Sequence, residues 1–324
     1  MQNVLLSITS VFILLFLLEA GARLFIYCTR GSSTVGMPER TLYLQYQPFV
    51  MFGPDWDKKV DDYNLQNKVA SIKTCRILLL GGSTAGNFPE KILEKAFLKK
   101  FPEHNFKVLN MAAGGYNARQ EVIVGAIWGA NLKPDIIITL DGANDLIHRL
   151  RMKTAGTFYL NATYENFLKR PVLAPFFNLM IKSQLIQGLS RLTERKEVGA
   201  VDTYRDAIPV YISAQHSINS IAAGSHAKRI MVLQPFMAFK EPLSNAEMNF
   251  KPYKYRETIM KQLYESLNKE LEILKRNDGV LYVDARFIFN GISKTIFSDD
   301  VHFVTDEGYN ILAEHIVNAI DQIE

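Results

Sequence analysis

The chain has 324 residues, of which 48% are hydrophobic and 22% charged, and its formal net charge is +4 at pH 7. That balance excludes disordered and collagen-like classes. The small basic excess, with no Lys/Arg cluster interleaved with aromatics, gives no footprint for nucleic acid. Two cysteines, Cys28 and Cys75, cannot build a disulfide framework, and no CxxC spacing offers zinc a site.

The run VLLSITSVFILLFLL, residues 4–18, is uncharged, and Glu19 and Arg23 then precede more apolar residues up to Cys28. Spanning a bilayer takes about 20 predominantly apolar residues. Residues 4–28 reach that length if the two ionisable groups near one end snorkel to the interface. Residues 1–28 are therefore expected to form a single N-terminal transmembrane helix that anchors the protein to a membrane. Two other readings stay open. One is a cleaved signal peptide and secretion: AGA at residues 20–22 resembles a cleavage site, although no positive charge precedes the apolar run. The other is a buried core helix. Arg23, Arg30 and Arg40 follow the segment, and positive-inside counting would place that side in the cytoplasm without fixing the orientation. Residues 29–73 read as a linker, TRGSSTVGMPER, and then a juxtamembrane stretch with aromatics.

From about residue 74 the pattern changes. Short apolar, β-branched runs CRILLL (75–80), KVLNM (107–111), DIIITL (135–140), RIMVLQ (229–234) and VLYVD (280–284) predict strands. Between them PEKILEKAFLKKF, ARQEVIVGAIWGAN, YRDAIPVYISAQHSINSIAAG and YRETIMKQLYESLNKELEILKR predict helices, and DEGYNILAEHIVNAIDQI predicts a last one with Thr305 as its N-cap. Strands alternating with helices imply a parallel five-stranded sheet covered on both faces, an α/β domain over 74–324. Residues 147–201 form an aromatic-rich insertion after the third strand, containing an Asn-Ala-Thr sequon at Asn161.

In open α/β sheets, ligands bind outside the carboxyl ends of the strands. The turns there carry GGST with Ser83, AAGGYN with Gly114, Gly115 and Asn117, DGAND with Asn144 and Asp145, QPF with Gln234, and FSDDVHF with Asp299, Asp300 and His302. Together these supply a hydroxyl, glycine amides, a carboxamide, a carboxylate and an imidazole. A serine hydroxyl becomes nucleophilic when a base takes its proton. His302 can be that base if Asp299, three residues before it, holds Nδ1 and leaves Nε2 toward Ser83. The Ser83 and Gly115 amides and the Asn144 side chain are suited to hold an oxyanion.

At these residues the chain resembles the SGNH hydrolases, also called the GDSL esterase/lipase superfamily. The matching blocks are Ser83 in GGST, Gly115 in NMAAGGYNARQE, Asn144 in GAND, and Asp299 with His302 in DDVH, all in the family's order. The resemblance implies a flavodoxin-like three-layer αβα sandwich, preceded here by the N-terminal hydrophobic helix. It also implies ester hydrolysis or acyl transfer through an acyl-serine, with no metal or other cofactor. Gly82 stands where aspartate is commoner, a variant associated with membrane-tethered members. The N-terminal segment and the insertion fall outside the resemblance, so the substrate is not carried over; a carbohydrate or lipid O-acyl ester is the expected class. Neither a nucleic acid nor an obligate protein partner is indicated.

Other readings compete with this one. Ser83 or Thr84 could simply cap the helix that follows. Gly81 and Gly86 are spaced as in a P-loop, but Asn87 and Phe88 occupy the positions of its Lys and Ser/Thr. GGSTA nears the α/β-hydrolase elbow, but Ala85 replaces the last glycine. A catalytically inactive binding protein of the same fold is opposed by the intact Ser83, Asp299 and His302. Water and a sugar or lipid hydroxyl would use the same catalytic set, so hydrolase and acyltransferase both stay open. Gln234 and His148, near strand ends, are candidate substrate contacts. His104, His216, His226 and His315 read as surface or packing residues, and Asp145 as an organiser of its loop.

Overall fold

The computed structural model describes residues 9–10, 13–24, 45–47, 49–67, 74–151, 155–156, 183, 201–249 and 254–321. The chain divides into two compact units, one of Met1–Leu44 and Leu160–Val198, the other of Gln45–Tyr159 and Gly199–Glu324. In the first unit, residues 9–10 and 13–24 are helical, and Ile13, Leu14, Leu15, Phe16, Leu17 and Leu18 are all exposed. Arg23 pairs with Glu19 one turn away at 2.9 Å, and the Ser183 hydroxyl donates to the other Glu19 oxygen at 2.7 Å. Among the described residues, no helix is long and apolar enough to cross a membrane. The expected span over 4–28 lies partly outside the described residues, as do residues 25–44, the Asn161 sequon and most of the 147–201 insertion.

The second unit begins earlier than the sequence suggests. Within the stretch read as a linker lie a small antiparallel hairpin, β1 (Gln45–Gln47) with β2 (Met51–Gly53), and helix α1 (Trp56–Asn67). Side chains of the sheet unit hold them. Tyr116 Oη donates to the Phe52 carbonyl at 2.6 Å, Gln120 Nε2 to the Val50 carbonyl at 2.8 Å, and Trp128 Nε1 to Asp57 Oδ1 at 2.8 Å. Val50 and Trp56 are fully buried.

The five expected strands are β3 (Thr74–Gly81), β4 (Asn105–Asn110), β5 (Ile136–Asp141), β6 (Lys228–Leu233) and β7 (Leu281–Asp284). All pair in parallel, in the order β4-β3-β5-β6-β7. Counted within the sheet this is the doubly wound 2-1-3-4-5 order of flavodoxin-like folds. The helices are α2 (Ser83–Gly86), α3 (Glu90–Lys100), α4 (Ala118–Val124), α5 (Ala143–Arg151), α6 (Ala207–Gly224), α7 (Asn245–Asn249), α8 (Lys254–Asp278) and α9 (Asp306–Asn318). The helix expected over 118–131 changes to a π turn at Gly125–Gly129 and a 3-10 turn at Ala130–Leu132. Gly129 lies so close to the Leu78 side chain that a Cβ there would meet it.

Strand side chains alternate between the two faces, as a period of two requires. Ile77, Leu79, Ile138, Leu140, Ile230, Val232 and Val283 face Leu93 and Phe97 of α3 and Leu312 and Ile316 of α9. Met231, Leu233 and Tyr282 face Tyr211 and Ala214 of α6 and Leu263, Leu267 and Leu271 of α8. Burying each such side chain contributes about 1.5–3 kcal/mol before entropy is counted.

The second face also buries a polar network. Arg229 on β6 donates to Thr139 Oγ1 at 2.8 Å and to Gln215 Oε1 at 2.6 Å, while Gln215 Nε2 donates to Asp141 Oδ2 at 2.8 Å. Tyr211 Oη donates to the other Asp141 oxygen at 2.5 Å. Glu121 on α4 and Asp145 on α5 are buried against this group, and Asp145 accepts from the Ala118 amide at 3.2 Å. Asp141 and Glu121 thus interact with the one Arg229 guanidinium, and Asp145 lies near Asp141. Burial first, then the charge of Asp141, pushes the Glu121 carboxyl well above its ordinary range. The same two causes push Asp145 up from 3.8 to about 8, against the Ala118 amide and Arg119.

Because folded Asp145 keeps its proton up to about pH 8 while the unfolded side chain releases it at an ordinary 3.8, folding takes up a proton between those values. The stability that Asp145 contributes is therefore fully present below that lower value and is lost as pH rises through about 8. Asp145→Asn keeps an oxygen for the Ala118 amide and removes the titration. Denaturant unfolding from pH 5 to 8 should show stability falling less steeply with pH in the variant than in the parent; equal slopes would contradict this.

Candidate active site

Ser83 opens α2 directly after β3, and Asn110 at the end of β4 fixes that turn. Asn110 Nδ2 donates to the Ala85 carbonyl at 2.7 Å and the Phe88 carbonyl at 3.2 Å, while Asn110 Oδ1 accepts from the Ala112 amide at 3.0 Å. The Ala113 amide donates to the Gly81 carbonyl at 3.2 Å, extending the β3–β4 contact into the two loops. Ser83 is partly exposed, and Thr84 beside it is buried.

Three strand-end loops converge on Gly82. Asn144, at the start of α5, donates through Nδ2 to the Tyr116 carbonyl at 2.7 Å. A Cβ on Gly82 would collide with that same Nδ2 and crowd the Tyr116 carbonyl at 3.2 Å. A side chain at 82 would therefore displace the Asn144 carboxamide from this position. Gly115 sits at φ +80°, a backbone conformation glycine adopts without strain. Its amide has no acceptor among the described residues. An Asn amide carries two N–H donors; Tyr116 takes one of those on Asn144, leaving the other beside the Ser83 turn.

The last loop approaches Ser83 from the far end of the chain. Thr84 Oγ1 donates to the Val301 carbonyl at 3.2 Å, and Gln234 Nε2 donates to Thr84 Oγ1 at 3.3 Å. The Met237 amide donates to the Asp300 carbonyl at 2.8 Å. Next to Val301, His302 Nδ1 lies 2.6 Å from Asp299 Oδ2. Asp299 Oδ1 accepts from the Val301 amide at 2.9 Å and the His302 amide at 2.8 Å. Against the desolvation of partial burial, the His302 contact and these amides hold the Asp299 carboxyl below its ordinary value. An anionic Asp299 makes Nδ1 the protonated nitrogen, so Nε2 is the acceptor. Nε2 is buried and has no hydrogen-bond partner among the described residues.

Of the residues singled out from sequence, Ser83, Gly115 and Asn144 lie on the loops that meet at Gly82, and Asp299 lies against His302. Gln234 is buried and bonded to Thr84, and His148 is buried on α5. Asp300 presents its carbonyl to Met237, and Asp145 organises the start of α4, as expected of a loop-holding residue. His315 meets the Asp284 carbonyl and His216 meets Asp278, both at 3.0 Å and on the surface. Sequence reasoning took Thr84 only as a possible helix cap and missed Asn110 and Tyr116. Asn110 ends a strand and could have been flagged there; Tyr116 carried no distinct signal. Among the described residues, no group of His, Cys, Asp and Glu is arranged to hold a metal ion.

No protein-family model matches the chain, and no curated protein matches it. Among solved structures, it is similar to the acetyl xylan esterase AlAXEase at 11% identity and a TM-score of 0.46, over 76% of this chain and 99% of that one. An acetylxylan esterase from Geobacillus stearothermophilus is similar at 15% identity and a TM-score of 0.44, over 78% and 97% of the two chains. A GDSL-like lipase from Bacteroides thetaiotaomicron is similar at 14% identity and a TM-score of 0.42, over 80% and 96%. With identities and scores this low, the fold described above rests on the chain's own strand order and packing: a parallel five-stranded α/β sheet with helices on both faces.

Proposed function

We propose that the protein is a serine esterase that cleaves an acyl ester through an acyl-serine intermediate. The observation that carries this reading is the His302–Asp299 contact, with Nε2 buried and unengaged, on a loop bonded to the residue next to Ser83. Ser83 Oγ attacks the ester carbonyl carbon as its proton passes to His302 Nε2. Asp299 holds the ring and stabilises the imidazolium. The Ser83 amide, the Gly115 amide and the free N–H of Asn144 receive the developing oxyanion. When the carbon–oxygen bond breaks, the leaving alcohol takes the proton from Nε2. Water then attacks the acyl carbon as it gives a proton to Nε2; the acyl–Oγ bond breaks as Oγ takes that proton back, which releases the acid and restores Ser83 and His302. A sugar or lipid hydroxyl in place of that water would make the same residues an acyltransferase. Gln234 acts in this scheme through Thr84, as a positioning residue. The substrate class that fits is a carbohydrate or lipid O-acyl ester.

We also propose that the protein is attached to a membrane through the N-terminal segment, whose exposed Ile13–Leu18 side chains supply the apolar surface.

Wild-type protein should label at Ser83 with a fluorophosphonate probe and turn over p-nitrophenyl esters. Ser83→Ala should lose both while unfolding as cooperatively as the parent; a folded parent that is not labelled would sink the mechanism. Asn144→Ala should lower kcat by roughly 10²–10³-fold with KM little changed, as loss of one oxyanion donor does; steady-state kinetics would show an unchanged kcat if the side chain plays no such part. Full-length protein should float with liposomes on a density gradient, and Phe16→Glu with Leu17→Glu should leave it in the soluble fraction. Equal flotation of parent and variant would refute the attachment.

A further inference from the structure

The loops after β6 and β7 bury an ion pair completely. Lys240 and Glu247 have fully buried side chains, with Lys240 Nζ 2.7 Å from Glu247 Oε2. Lys240 Nζ also donates to the Pro242 carbonyl at 2.8 Å. Glu247 Oε2 accepts from the Ser244 amide at 2.8 Å, and Oε1 accepts from the Ile296 and Phe297 amides at 2.9 Å each. Every lone pair that faces the protein is therefore used, two of them on the segment that leads into Asp299 and His302.

A buried ion pair seldom stabilises a protein more than apolar side chains of the same volume would. What it supplies is direction, because both oxygens must meet fixed donors. The segment between β7 and α9 needs such direction, since among its described residues there is no helix or strand, only an isolated bridge between Phe297 and Phe303. Above the two clamped amides the chain folds back on itself. The Val304 amide donates to the Ile296 carbonyl, and the Ser298 amide to the His302 carbonyl, both at 2.8 Å. The turn carrying Asp299 and His302 is thus a short loop held at its base by Glu247 and at its tip by Thr84. Burial opposes ionisation of Glu247, but Lys240 and the three amides outweigh it and hold the carboxyl down at about 2, so the anchor stays charged at neutral pH.

We infer that the buried Lys240–Glu247 pair is a positioning device for the reaction, fixing the turn that presents His302 to Ser83. This deepens the serine-esterase reading and rests on the role given there to His302.

The test combines the rate of fluorophosphonate labelling at Ser83, KM and kcat for p-nitrophenyl acetate, and amide hydrogen exchange read by mass spectrometry, all on the full chain. In Glu247→Gln, labelling and kcat should fall by about tenfold or more, since small misplacements of reacting groups carry penalties of that order, and KM should stay within about twofold. Exchange over residues 296–303 should accelerate by about tenfold while β3 and α3 keep their protection. Lys240→Met, which leaves Glu247 its three backbone donors, should show the same pattern more weakly and serves as the second variant if Glu247→Gln does not fold. A folded variant that labels within twofold of the parent overturns the inference, whether or not its exchange has changed. General loss of protection in both variants also overturns it, in favour of a purely structural pair. If the parent itself fails to label at Ser83, the esterase reading falls, and exchange over 296–303 still decides whether the pair holds the turn.

Discussion

The hydrogen bond from the Thr84 hydroxyl to the Val301 carbonyl joins residues 217 positions apart, and the proposed chemistry depends on it. It joins the residue after Ser83 to the residue before His302, so it ties the two loops together without involving either of those side chains. Both of its ends are held in turn. Gln234, from the end of β6, donates to the same hydroxyl, and Asn110, from the end of β4, fixes the turn that contains it. The ends of three strands therefore contribute to one bond. That is what a parallel sheet makes possible, because all its carboxyl ends face the same way.

Around this point the molecule keeps polarity inside the fold in two different forms. On one side of β5 and β6, Glu121 and Asp141 lie against Arg229 with Asp145 close to Asp141, and burial pushes the Glu121 and Asp145 carboxyls up. Near β7, Lys240 and Glu247 are evenly matched and saturated with amide donors. The first arrangement raises the pKa of Glu121 and Asp145, and the second lowers that of Glu247. Each borders a loop that carries a proposed catalytic group: Asp145 follows Asn144, and Glu247 grips the segment that leads to His302.

Much of the architecture was legible because its signals are local. The five β-branched runs predict the strands within a residue or two, and Thr305 caps α9 as the sequence suggests, accepting from the Glu307 amide. The hairpin around Phe49 and helix α1 were missed for a physical reason. Strands of three residues have too few alternations to show a period, and their stability comes from Tyr116 and Gln120, which are remote in sequence. The candidate site was legible as residue types at strand ends, including the choice of Asp299 over Asp300 as the partner of His302. Its supports were not. Thr84, Asn110 and Glu247 act by bonding to backbone groups of other elements, and a backbone group leaves no mark in the identity of the residue that bears it. Glu247 reads as one more acid in NAEMN until the fold shows which amides it holds.

The Thr84–Val301 bond also has a consequence in time. A ribosome releases the chain from its amino end, so β3, β4 and β5 can pair well before residues 299–302 exist. Through that interval Ser83 stands at the end of β3 while the segment that carries Asp299 and His302 is still missing. The α9 contacts that close the first apolar face, such as Lys99 with Glu314 and Lys100 with the Val317 carbonyl, also wait for the last stretch of chain. Contacts of such long sequence separation form slowly. The turn that bears Ser83 is therefore built early, and the proposed catalytic set is complete only once residues 299–302 have joined it.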